Sequence, residues 1–161
     1  MSFRGPQDCH NPTEIRILSD IRTTGWSLMA VLDYPPFAYT VGLEHSFEHP
    51  EMIITGMPPT LACNILIEIS KQIRRGRYFR AGAILRGEEI RCSTNLLMGE
   101  VSARSRRDYM LCSQWLYASE DYRALQVIWP DTRGCFPHEP DFERRFRAHQ
   151  PLLSLAPRYT D

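Results

Sequence analysis

Two consecutive prolines, Pro35 and Pro36, separate the apolar run 26–33 (WSLMAVLD) from the apolar run 37–43 (FAYTVGL). Neither proline can donate to a sheet ladder, and each restricts the residue before it, so neither run continues through the junction. A connection this short predicts two adjacent antiparallel strands. A polar loop over 44–50 then leads to a third apolar run, 51–57, which belongs beside the first two. A chain that starts this way is committed to a sheet built from short strands.

The flanking segments supply helices. Asn11, Pro12 and Glu14 form a helix start, with Asn as the cap, Pro tolerated at the first helical position and Glu where a capping box wants it. Gly25 closes that helix. Pro58 and Pro59 open the clearest helix, expected over 58–75. Leu61, Ile65, Ile69 and Ile73 repeat every four residues, Ala62 and Leu66 widen the stripe, and Gly76 stands at the end. Beyond it, 83–86 and 89–94 read as a hairpin around Gly87, and 96–102 as a further strand. Ser105 and Asp108 have capping-box spacing and predict a helix reaching about Ser119. The run 122–129 is a strong strand, 130–134 a turn, and 141–148 a short polar helix.

Strands grouped in runs between helices predict a single α+β domain, mainly an antiparallel, barrel-like sheet with one long amphipathic helix packed on it. The expected division is a flexible leader over 1–10, the domain over 11–150 and a tail over 151–161. At 161 residues the chain is long enough to bury a core without disulfides or metal. Nineteen basic and nineteen acidic residues leave no net charge, which disfavours nucleic acid as a partner. Arginine runs at 74–77, 104–107 and 144–147 read as solvated faces or as an anion-binding face. Five cysteines without a CxxC pair form neither a disulfide framework nor a zinc ribbon. With no apolar signal core and no run of about 18 apolar residues, the expected place is the cytoplasm, with no membrane contact.

Tyr39-Thr-Val-Gly-Leu43, His49-Pro-Glu51, Gly56, the run from Gln126 through Trp129 to Asp131, Gly134 and Phe136-Pro137 resemble a bacterial domain-of-unknown-function family, number four-two-six-two. The resemblance covers roughly 25–140 and implies no activity or cofactor. Where that family commonly has a tryptophan after the Phe-Pro pair, this chain has His138. A looser, fold-level similarity joins the hairpin, third strand and proline-opened helix to flavin-reductase-like split barrels. It implies a flavin held by strand and loop backbone.

Chemistry concentrates in two segments. Residues 44–51 hold two histidines and three carboxylates. His45 and His49 suit a divalent metal, with further ligands required from a distance. The second segment carries Trp129, Asp131 and His138, an arrangement in which a carboxylate can orient an imidazole base; Cys135 beside His138 also has the makings of a nucleophile. His49, Glu51, Asp131 and His138 are therefore the catalytic candidates, expected to converge on one cleft. Tyr39, Thr40, Gly42 and Trp129 are the candidates for binding a cofactor. Three functions follow. The first is a ligand- or cofactor-binding domain, of which a flavin-type oxidoreductase is one form. The second is a metal-dependent enzyme, and the third a non-enzymatic interaction or regulatory module. The partner is accordingly a small-molecule ligand, another protein or a second copy in a homodimer.

Overall fold

Asn11 opens α1 (Pro12–Thr24) by accepting the Glu14 N–H on its side-chain oxygen at 2.9 Å, and Gly25 closes it in the left-handed region. The structure, a computed structural model, describes residues 11–154; the leader over 1–10, with Cys9 and His10, and the last residues of the tail lie outside the described residues. β1 (Ser27–Val31) and β2 (Phe37–Val41) pair antiparallel across the proline turn, Ser27 facing Val41 and Val31 facing Phe37. The expected polar loop then folds differently. It contains a short helix, α2 (Leu43–Phe47), ahead of β3 (Glu51–Thr55).

The long helix α3 (Pro59–Arg74) buries Ala62, Ile65, Leu66, Ile69, Ser70 and Ile73, whereas Leu61 is 47% exposed. The reason is geometric: steps of four residues advance about 40° beyond a full turn, so Leu61, two steps before Ile69, has rotated off the buried face. A short β4 (Ile84–Leu85) pairs with β5 (Leu96–Glu100), and Gly87–Ile90 forms a 3-10 turn where a hairpin strand was expected. Glu89 explains the turn. Its carboxylate accepts the Arg86 N–H at 3.1 Å, coiling the chain back on itself.

Ser102, three residues ahead of the expected start, caps α4 (Ala103–Tyr109) by accepting the Ser105 N–H at 3.1 Å. The predicted single helix is two, because Met110 leaves helical geometry at ψ 56° between α4 and α5 (Leu111–Tyr117). β6 (Ala124–Ile128) pairs antiparallel with β5 and parallel with β3. The sheet order β1-β2-β3-β6-β5-β4 is thus two antiparallel meanders joined by one parallel pair, and it stays open, with β1 and β4 at its edges. Over 141–148 only a 3-10 turn, Arg144–Arg147, forms.

This is one α+β domain with a core on each face of the sheet. α3 covers Ala38, Met52, Ile54, Leu125 and Val127. α1 and the α4–α5 region cover Tyr39, Val41, Ile53 and Ala124. The start of the expected tail belongs to the fold. Leu153 is buried, its N–H reaches the Gln126 side chain at 2.9 Å, and the Gln126 amide in turn donates to Thr55 and to the Pro151 carbonyl. At the same crossing a Cβ on Gly56 would lie 1.8 Å from the His149 carbonyl oxygen, so the strap requires glycine there.

Ile69 has no exposed surface. Ile69→Ala should therefore destabilise the domain by about 2–5 kcal/mol in urea denaturation, as other emptied aliphatic sites do. Leu61→Ala should change stability by less than about 1 kcal/mol. Equal losses at the two positions would show that the helix faces the sheet differently.

Candidate functional site

Glu51 begins β3 with its side chain completely buried. Its two oxygens collect five donors. Oε2 accepts from the Thr40 hydroxyl at 2.6 Å and the Leu43 N–H at 3.2 Å. Oε1 accepts from the Gly42 N–H at 2.7 Å, the Glu44 N–H at 3.4 Å and the Tyr117 hydroxyl at 2.5 Å. Three successive backbone donors can point at one carboxylate because Gly42 lies at φ +113°, making an anion-binding concavity ahead of α2. A side chain at Gly42 would also strike Ile21, with its Cβ 2.8 Å from Cγ1. Burial raises the Glu51 pKa to about 7, even though the hydroxyl and backbone donors pull it down. Burial, followed by the Glu51 charge, likewise pushes the Tyr117 phenol well above its ordinary value.

His49 is equally enclosed, and both ring nitrogens are engaged by backbone. Nε2 accepts the Phe79 N–H at 2.9 Å, which leaves Nδ1 to donate to the Pro50 carbonyl at 2.8 Å. Burial lowers its pKa, against the raising effect of the Pro50 carbonyl. No lone pair is left for a metal, which corrects the expectation that His49 is a ligand. His45 sits on α2, its N–H directed at the Tyr117 hydroxyl at 3.2 Å. Among the described residues no group of three or more His, Cys, Asp or Glu is arranged to hold a metal ion. Arg123 closes this end of the sheet by clamping Glu44 at 3.1 and 3.0 Å and donating to the Tyr78 hydroxyl at 2.7 Å.

The second motif segment lies at the other end. β3 and β6 run parallel with Glu51 opposite Ala124, so Asp131, past the end of β6, lies at the opposite end of the strand pair from Glu51. The expected shared cleft of His49, Glu51, Asp131 and His138 does not form. Asp131 accepts the backbone N–H groups of Arg133, Cys135 and Glu143, each at 2.9 Å, and so fixes the turn. Burial raises its pKa, but those three donors outweigh it and hold the carboxyl below its ordinary value. Trp129 donates its indole N–H to the Thr55 carbonyl at 2.8 Å. His138 is exposed and stacks on Phe136. Burial and neighbouring carboxylates raise the Cys135 thiol pKa, the opposite of what a nucleophile needs.

A concave surface exists elsewhere, and sequence reasoning missed it. On the α4–α5 side of the sheet, Met29 and Val31 of β1 lie directly across from Tyr39 and Phe37 of β2. These four residues floor a groove of about 610 Å³, walled by Tyr109, Leu111 and Cys112 and by the turn 33–35. Phe37 stacks on Tyr39 at 6.2 Å and meets Tyr109 edge-on at 5.0 Å. The Tyr39 hydroxyl accepts the Cys112 N–H at 3.0 Å, and the Ser113 hydroxyl donates to the Thr40 carbonyl at 3.1 Å, joining the wall to the floor. Asp33 and Asp108 are the charged lining residues. The available signal was an excess of aromatic side chains on one face of the 27–41 hairpin, which reads as core until the helices are placed.

The chain matches the family described as domain of unknown function DUF4262 over residues 20–143, and it belongs to that family. No curated protein and no solved structure matches it.

Two stability measurements test these assignments. The unfolded Glu51 carboxyl titrates near 4.5 and the folded one near 7. Between these values the native state keeps a proton that the unfolded chain has released. Its stabilising contribution is therefore full below pH 4.5 and lost as pH rises through 7, by on the order of 3 kcal/mol. The stability difference between wild type and Glu51→Gln should shrink by that amount from pH 4.5 to 8; a pH-independent difference would refute the assignment. His49→Ala leaves the buried Phe79 N–H unpaired and should cost roughly 2–4 kcal/mol in chemical denaturation. An unchanged midpoint would mean that the imidazole is not holding the 77–79 backbone.

Proposed function

We propose that the domain binds a small organic molecule in the groove between the β1–β2 hairpin and the α4–α5 junction. The observation that carries this reading is the groove itself. Its volume of about 610 Å³ falls within the range of small-molecule sites, and it combines an aromatic floor with a few polar groups at the edge. The hydrogen bonds from Cys112 and Ser113 to β2 pre-form its wall. Tyr39, one of the expected cofactor-binding residues, lies in the floor; Thr40 and Gly42 serve the Glu51 network instead. A flavin does not suit this site, because its phosphate would face Asp33 and Asp108.

A protein partner is the second reading. Leu32, Tyr34 and Leu111 are 79%, 83% and 62% exposed, and the last two line the groove. These are large apolar groups for a surface to leave uncovered.

Indole titrated into ¹⁵N-labelled protein should shift the amides of Met29, Tyr39, Tyr109 and Cys112 together. Tyr109→Ala should weaken that binding by roughly tenfold, the equivalent of one aromatic contact. Shifts confined to another surface, or none at millimolar indole, would refute the reading.

A further inference from the structure

Four aromatic rings elsewhere among the described residues are matched with cations. Arg77 lies 4.7 Å from the ring centre of Phe79, Arg80 5.1 Å from Tyr78, Arg145 4.8 Å from Phe146 and Arg106 5.9 Å from Tyr122. The groove is different. Among the described residues no arginine lies over Phe37, Tyr39 or Tyr109, and no lysine, arginine or histidine lines the groove. Its charged lining is anionic. Asp33 sits at the β1–β2 turn and makes no ion pair among the described residues. Asp108 stands across the groove at the end of α4, with only an exposed partner, Arg104, at 3.8 Å one turn back. Arg16 reaches the Met29 sulfur at 3.0 Å and is itself paired with Asp20, and Arg107, next to Asp108 in the chain, is paired with Glu120.

Ring faces present the negative part of the aromatic quadrupole, and carboxylates add negative potential at the edge. Inside a concave, partly dry surface both effects are larger than in open water. We infer that the groove's ligand is an organic cation, a small molecule carrying a protonated amine, a guanidinium or a quaternary ammonium on an apolar body. The apolar body rests on Phe37, Met29 and Val31, with the buried Tyr39 ring beneath Phe37, and the cation lies between the ring of Tyr109 and the carboxylates of Asp33 and Asp108. The inference rests on the groove being a ligand site, and it adds the ligand's charge. An anion would meet two carboxylates, and a neutral ligand would gain no charge attraction from them.

The test uses three probes of one shape and different charge: benzylamine, benzyl alcohol and benzoate. Each is titrated into the full chain at neutral pH and followed by the amide shifts of the groove residues. Benzylamine should bind about fivefold tighter than benzyl alcohol, with benzoate weakest. Asp33→Asn and Asp108→Asn, both at exposed positions, should each reduce the benzylamine preference about two- to threefold and leave benzyl alcohol unchanged. Raising the salt concentration should narrow the gap. Equal affinities for all three probes within the groove would overturn the cation inference while sustaining the ligand site. Absence of groove shifts with every probe would overturn both.

Discussion

The carboxylate of Glu51 is the point on which this architecture turns. Removing such a group from water is costly unless its lone pairs are met, and here the Thr40 hydroxyl, the Tyr117 hydroxyl and three successive backbone N–H groups meet them. Those donors come from β2, the entry to α2 and the last residue of α5, so one side chain fixes three elements. The residue's own N–H donates to the Arg123 carbonyl at 2.9 Å, next to the first pair of the parallel ladder. Side chain and backbone together join the β1-β2-β3 meander to the β4-β5-β6 meander. The left-handed Gly42 is the conformational requirement of that joint.

Much of what depended on local chemistry was legible in the sequence. The Asn11 cap, the proline turn between β1 and β2, and the buried face of α3 all follow from residues within a turn or two of one another. The larger features that the sequence hid depend mostly on distant partners. Residues 43–47 are too few to hold a helix by propensity and are fixed by Glu51, which a linear reading sees only as another loop carboxylate. Met110 breaks the 103–117 helix with no proline or glycine to announce it. Above all, a connection of more than sixty residues separates β3 from β6, and nothing in either strand shows that they run parallel. That one topological fact separates His49 and Glu51 from Asp131 and His138.

The candidate site was legible in the same partial way. Most of the residues singled out for chemistry carry polar work, but the work is structural. Tyr39 holds Cys112, His49 holds Phe79, Trp129 holds Thr55 and Asp131 holds its own turn. Gln126, a strand residue that carries part of the family resemblance, ties the 151–153 strap to the sheet. A buried polar side chain and a catalytic one have the same letters, and only satisfied hydrogen bonds distinguish them. Tyr39, His49, Gln126, Trp129 and Asp131, which carry part of the family resemblance, each help to hold this domain together.

The same network also determines the shape of the groove. Its wall at Leu111 and Cys112 opens α5, and α5 ends in Tyr117, whose hydroxyl donates to Glu51. Between these ends the Ser113 hydroxyl donates to the carbonyl of Thr40, the residue whose own hydroxyl reaches Glu51. α5 is consequently anchored twice in its first turn and once at its end, each time to β2 or to the carboxylate that β2 helps to enclose. A groove wall fixed in this way has little conformational freedom to lose when a ligand arrives, so apolar burial and charge complementarity are translated more fully into affinity. Glu51 lies outside the groove lining, yet it sets the distance between the aromatic floor and the helix that faces it. Its contribution there is positional, and in the proposed binding mode recognition falls to Phe37, Tyr109 and the two aspartates.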